Sequence, residues 1–193
     1  MRWIRYSCLV EDAFYNLDSD EINEIESLPW SNQLIKKYVN STHTVVELGS
    51  FAGVSSELFA LHCEKLYCVD PWQPYWEINE INKISDAEKK FDGMSENYNN
   101  IVKKKLSSND ASVHFENYSL DLVYIDSDHS SENVEKEIKL WYSKIKKDGY
   151  ISGHDFNMPT VFNVVTKHFD PTYIEIFNDT SWIVSVKNTI KEI

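Results

Sequence analysis

From residue 44 onward the chain alternates short, β-branched apolar runs with stretches whose apolar positions recur at helical spacing. TVVEL (44–48), LYCV (66–69), IVKKKL (101–106), LVYI (122–125) and YIS (150–152) predict five strands. Helices are predicted between them over about 53–63, in a polar stretch ending near 98, over 109–117 and over 131–146. Strands that alternate with helices are joined by crossovers, so these five are expected to run parallel. The helix over 131–146 has the clearest face: Val134, Ile138, Trp141, Tyr142 and Ile145 share one side while Glu and Lys fill the others, which predicts packing on the sheet. A further helix is expected to start at Pro159, a favoured first helical position, and to carry Val161, Val164, Val165 and Phe169.

The rhythm changes at the end of the chain. YIEIF (173–177) and WIVSV (182–186) are separated only by Asn178, Asp179, Thr180 and Ser181, which predicts an antiparallel hairpin. The expected fold class is therefore α/β: a Rossmann-like, seven-stranded, mostly parallel sheet with a C-terminal antiparallel hairpin and helices on both faces. Dinucleotide dehydrogenases continue with helical crossovers at this point instead. Residues 1–42 read as an aromatic-rich arm (Trp3, Tyr6, Phe14, Tyr15) with one or two helices interrupted at Pro29, leading into a core over 43–193. At 193 residues the whole is expected to form one domain.

Charge narrows the partners. With 31 acidic and 19 basic residues the formal net charge is -12, which repels phosphate backbones and anionic membranes and favours a small-molecule acceptor over a nucleic acid. The three cysteines form no CxxC pair, as suits a reducing compartment, and no apolar run reaches spanning length, so a cytoplasmic protein is expected. Assembly into a homo-oligomer is compatible with these features.

Two groups of residues carry candidate chemistry. In VELGSFAG, Gly49 would let the chain turn sharply out of the first strand and Gly53 would let the next helix start close against a ligand. Glu47 ends the first strand and Asp70 the second, where a carboxylate accepts both hydroxyl protons of a ribose; alternatively Asp70 only begins the turn at Pro71. No Lys or Arg lies between Glu47 and Glu57, a setting that suits a cofactor bearing a sulfonium and an ammonium better than one bearing phosphates. The second group is Asp126, Asp128 and His129 after the fourth strand, with His154 and Asp155 after the fifth. Neighbouring strand ends bring these together as candidates for acid–base or metal chemistry. The competing reading makes Asp128 or Ser130 a helix cap and His129 a solvated loop residue. His43, His62, His114 and His168 are expected to be structural.

VELGSFAGVSS, CVDPW, SLDLVYIDSDHS and DGYISGHDF together resemble the class I S-adenosylmethionine-dependent methyltransferases, above all the branch called methyltransferase family 24, over about residues 44–186. The resemblance implies S-adenosylmethionine as cofactor, with Glu47, Gly49 and Gly53 at its methionine end, Asp70 on the ribose and Ser107 and Ser108 near the adenine. Ser50, Asp126 and Asp128 complete the cofactor set. Phe51 stands where many relatives have a glycine, implying a tighter loop. The reaction centre it implies is Asp126, His129, His154 and Asp155. A divalent metal such as Mg²⁺ would fall to Asp126, His154 and Asp155, although histidine is an unusual ligand for a hard cation; without a metal, His154 or His129 is the natural base. The implied activity is O-methylation of a small molecule or sugar hydroxyl. The rivals are a nicotinamide-dependent reductase, for which a full GxGxxG is missing, and a non-catalytic S-adenosylmethionine-binding module. The segment holding Trp72, Tyr75 and Trp76 is expected to be an acceptor-pocket loop or lid, with plain packing as the alternative.

Overall fold

The computed structural model describes residues 33–73 and 81–189. The expectations for the arm before residue 33, and for Tyr75 and Trp76, lie outside the described residues. Helix α1 (Gln33–Tyr38) leads into β1 (Thr44–Leu48), α2 (Val54–Ala60), β2 (Lys65–Val69), α3 (Ile81–Ser95), β3 (Ile101–Lys104) and α4 (Ser108–Ser112). There follow β4 (Leu120–Ile125), α5 (Ser131–Tyr142), β5 (Ile145–Gly153), α6 (Pro159–His168), β6 (Glu175–Ile176) and β7 (Trp182–Ser185). The strands form one seven-stranded sheet in the order β3-β2-β1-β4-β5-β7-β6. The first five pair in parallel, and β7 runs antiparallel to both β5 and β6.

Both faces of the sheet are covered, and the strand sequences show why. Along β1, Val46 and Leu48 join one core with Val123, Ile125, Ile138 and Trp141, while Val45 joins the other with Phe59, Leu66 and Leu122. Successive side chains of a strand point to opposite faces, so a strand buried on both sides reads as an uninterrupted apolar run. The stripe on α5 packs as its spacing demands: Val134, Ile138 and Trp141 are all buried against one face. Phe59 from α2 and Phe91 from α3 fill the opposite face.

Several element ends differ from expectation for local reasons. Strand β5 begins at Ile145, well before the YIS run, because Ile145 pairs with Leu120 across an irregularity in register and Lys146 joins Asp121 at 2.8 Å. That pairing also takes Ile145 out of α5, which ends at Tyr142. Helix α4 begins at Ser108 because the Ser107 hydroxyl accepts from the Asp110 amide. Strand β6 has only two residues, since Pro171–Tyr173 closes into a 3-10 turn capped by Asp170.

Candidate functional site

The strand order reverses between β1 and β4, and the crevice outside the carboxyl ends of the strands at such a switch is the usual ligand position in an open α/β sheet. Gly49 and the β4 loop form its floor. The Asp126 amide donates to the Leu48 carbonyl at 2.8 Å, and Gly49 adopts φ +90 with its Cα against the Asp126 carbonyl. A side chain at Gly49 would run into that carbonyl and stand 2.8 Å from Ser127 Cα. Gly53 is required by its own backbone conformation and by its neighbours in α3. It caps α2 in the left-handed region at φ +93, and Met94 and Phe91 of α3 occupy the space a side chain would take.

Glu47 is fully enclosed rather than lining the crevice, and the hydroxyls of Ser55 and Ser56 in the first turn of α2 donate to its two oxygens. Burial pushes its carboxyl up to about 7 against the lowering effect of those hydroxyls. Ser50 is buried beside it. Asp70 makes the expected turn and adds a second contact. Its oxygens accept from the Trp72 amide at 2.6 Å and the Phe51 amide at 3.0 Å, so it makes the turn at Pro71 and also ties down the glycine loop. Trp72 completes the tie by donating its indole N–H to the Phe51 carbonyl at 2.8 Å, and its ring lies 4.5 Å from Lys103 Nζ. Burial raises the Asp70 pKa.

On the far wall, Asp128 turns away from the crevice. Its carboxylate accepts from the Ser130 amide at 2.9 Å and faces the Ser130 hydroxyl at 3.2 Å, shaping the entry to α5, which Ser130 caps. The remaining acidic and imidazole groups do converge. His129 Nε2 lies 3.0 Å from Asp155 Oδ2 and 3.4 Å from Asp126 Oδ1, and His154 Nδ1 lies 3.2 Å from the same Asp155 oxygen. Asp155 is buried and sits at φ 56, a left-handed conformation uncommon for a residue with a side chain. Burial disfavours both imidazolium ions, but the carboxylates outweigh it: His129 is held up at about 10 by Asp126 and Asp155, and His154 at about 9 by Asp155, Asp126 and Asp179. Burial likewise works against the Asp155 carboxylate, yet the two imidazoles hold its pKa well below the usual carboxylate range.

Asp126, His154 and Asp155 can each direct one ligand atom to a common point, with those atoms within 4.8 Å of one another. The donor set nevertheless fits a hard dication poorly. Both imidazoles are protonated at neutral pH and already occupy Asp155 Oδ2, and only two oxygen-bearing side chains would remain for a cation that prefers several oxygens. The S-adenosylmethionine setting fits better: an acidic strand end at Asp70 whose oxygens each keep a lone pair, and a loop from Glu47 to Glu57 without a cation to repel a sulfonium.

A family model described as a methyltransferase domain matches residues 46–156. The chain belongs to this methyltransferase family. No curated protein sequence matches it. Among solved structures the methyltransferase is similar to precorrin 8w decarboxylase from Methanobacterium thermoautotrophicum, with 12% identity, TM-score 0.57, and coverage of 78% of this chain and 86% of that one. It is also similar to a tRNA (m1A58) methyltransferase from Aquifex aeolicus, with 11% identity, TM-score 0.57, and coverage of 79% and 65%. A third is phosphoethanolamine N-methyltransferase 1 from Haemonchus contortus, in complex with phosphoethanolamine and S-adenosylhomocysteine, with 16% identity, TM-score 0.51, and coverage of 82% and 29%. At such identities these three share the fold.

Two features of the site were not read from the sequence. One is Glu137, fully buried on α5 beneath the β4 loop; its spacing from Val134 and Trp141 puts a charge on an otherwise apolar stripe, and that anomaly was the available signal. The other is the Trp72 indole bond to Phe51, which joins positions 21 apart and leaves no local signature.

Proposed function

We propose that the methyltransferase transfers its methyl group to a hydroxyl of a small molecule, such as a sugar, with Asp126, His129, His154 and Asp155 as the reaction centre. The observation that carries this reading is the convergence of His129 and His154 on one buried carboxylate oxygen, Asp155 Oδ2, beside the crevice at the strand switch point. When bound, S-adenosylmethionine supplies a methyl group on a sulfonium, open to direct displacement by the acceptor oxygen. Asp155, ionised, fixes the His154 ring through Nδ1 and leaves Nε2 as the nitrogen that takes the acceptor's proton once the imidazole is neutral. His129, placed between Asp126 and Asp155, clamps the β4 loop to the β5 loop. Around the crevice, Gly49, Asp70 and the β4 loop hold the cofactor, with Ser107 and Ser108 toward its adenine.

The net charge of -12 supports a small acceptor rather than a nucleic acid, and a cytoplasmic, water-exposed setting agrees with the absence, among the described residues, of any helix long and apolar enough to cross a membrane. The test is transfer of radiolabelled methyl to a panel of sugars and other hydroxylated metabolites, set beside total tRNA and rRNA. Label on the nucleic acids alone would overturn the acceptor class. For the centre, turnover is compared with and without EDTA in wild type, His154→Ala and Asp155→Asn. Resistance to EDTA with loss in both variants is expected, whereas normal turnover in both variants would dismiss these residues as the centre.

A further inference from the structure

Beneath the β4 loop lies an acid that the reaction does not use. Glu137, in the second turn of α5, is fully enclosed, yet it stands on the face of the helix that otherwise carries Val134, Ile138 and Trp141. Its Oε1 accepts from the Ser127 hydroxyl at 2.7 Å, and Asn133 Nδ2 donates to that same hydroxyl at 3.1 Å and to the Asp128 carbonyl at 3.1 Å. Ser108, the first residue of α4, lowers the carboxyl's pKa from nearby, but no hydrogen bond from the described residues reaches Oε2. Burying a carboxyl inside an apolar helix face is costly, and a helix of this pattern would be more stable with leucine there. The site of the cost is informative: Ser127 directly follows Asp126, and Gly49 rests on this same pair of residues. The Asp126–Ser127 segment therefore meets both Gly49, which tolerates no side chain, and Glu137, which holds the serine hydroxyl.

We propose that Glu137 is a positioning residue for the cofactor crevice: through Ser127 it fixes the loop after β4. The β4 loop leaves a carboxyl end at the switch point, so it forms part of the crevice wall, and its placement sets the shape that a cofactor meets. The inference rests on the crevice being the cofactor site. Burial raises the Glu137 pKa against the effect of Ser108, Ser127 and Asn133. A side chain that only accepts hydrogen bonds here is replaceable by an amide, so glutamine is expected to preserve the role.

The test is calorimetric titration of the full chain with S-adenosylhomocysteine in wild type, Glu137→Gln, Glu137→Ala, Ser127→Ala and the double alanine variant, with melting temperatures recorded alongside. Glu137→Ala and Ser127→Ala are each expected to weaken binding about tenfold, the scale of one lost buried hydrogen bond. Glu137→Gln should stay within about threefold of wild type. The double variant should be no weaker than the worse single variant, because both changes break one connection. Full additivity, or wild-type affinity in Glu137→Ala whatever its melting temperature, would overturn the proposal. Should Glu137→Ala not fold, Ser127→Ala decides alone: unchanged affinity overturns the proposal and a tenfold loss upholds it. Failure of the wild type itself to bind S-adenosylhomocysteine would refute the cofactor assignment instead.

Discussion

The Cα of Gly49 lies against the carbonyl of Asp126, so the loop that leaves β1 and the loop that leaves β4 meet backbone to backbone with no room for a side chain. The contact is only possible because Gly49 also adopts φ +90, which a residue with a Cβ reaches at a cost. Conformation and space thus make the same demand at one position, and the consequence is a crevice whose floor is fixed before any ligand arrives.

Gly49→Ala should accordingly destabilise the fold by about 2 kcal/mol or more and remove detectable binding of S-adenosylhomocysteine. Gly93 supplies the contrast, since it lies within α3 and an added Cβ there meets nothing within 4 Å. Gly93→Ala should stabilise by roughly 0.5–1 kcal/mol through lower backbone entropy in the unfolded chain. Urea unfolding of both variants checks the pair; equal effects of the two would mean that the Gly49 contact is not what the geometry indicates.

The contrast also shows what a sequence can reveal. Gly49 was legible because it directly follows an apolar run and precedes a helical pattern, so a strand-to-helix turn was required there. The sheet, its C-terminal hairpin and the convergence of Asp126, His129, His154 and Asp155 were legible for the same reason: parallel strands place residues that follow them at one edge. The enclosure of Glu47 was not. Whether an acid at a strand end points into the crevice or back beneath the following helix depends on Ser55 and Ser56 receiving it, and neither serine differs from an ordinary helix-start residue in the sequence. The part that α3 plays in the need for Gly53 was equally hidden, since Met94 lies 41 positions further along.

Asp70 carries the second prediction. Because it joins the Phe51 and Trp72 amides and is the residue proposed to hold the ribose, its loss should loosen the glycine loop and remove a cofactor contact together. Asp70→Ala is expected to weaken S-adenosylmethionine and S-adenosylhomocysteine alike by at least tenfold, on the order of one charge-assisted hydrogen bond. Thermal shift with each ligand measures it. If NADH raised the melting temperature and neither methionine derivative did, the cofactor assignment would be wrong.

Glu47 makes stability depend on pH. Its carboxyl, at about 7 in the fold, keeps a proton that the unfolded chain releases near its ordinary value of 4.5. The stabilising effect is therefore complete below about 4.5 and is lost as pH rises toward 7. The window lies below that of His129 and His154, whose raised values contribute stability that is lost only above their ordinary 6.5. Glu47→Gln should flatten the unfolding free energy between pH 5 and 6.5, part of a total difference of about 3 kcal/mol across the Glu47 window. A slope identical to wild type in that range would show that Glu47 does not titrate as its burial requires.

The reaction centre predicts a proton count. His129 and His154 are cations in the free enzyme, with values near 10 and 9, and S-adenosylmethionine brings a further positive charge on sulfur, whereas S-adenosylhomocysteine carries a neutral thioether. A cation placed within a few ångströms of an imidazolium in a partly buried site costs on the order of 2–4 kcal/mol, enough to carry His154 from about 9 toward neutral pH. Binding of the sulfonium should thus expel a proton and leave the neutral imidazole that a base must be, so the cofactor prepares the residue that accepts the hydroxyl proton. Titration calorimetry at about pH 8, in two buffers of different ionisation enthalpy, reads this directly and requires no acceptor. Release of a substantial fraction of a proton is expected with S-adenosylmethionine, with markedly less for S-adenosylhomocysteine and for S-adenosylmethionine binding to His154→Ala. Equal release for the two ligands in wild type would place the sulfur away from His154 and remove the imidazole from the proton path.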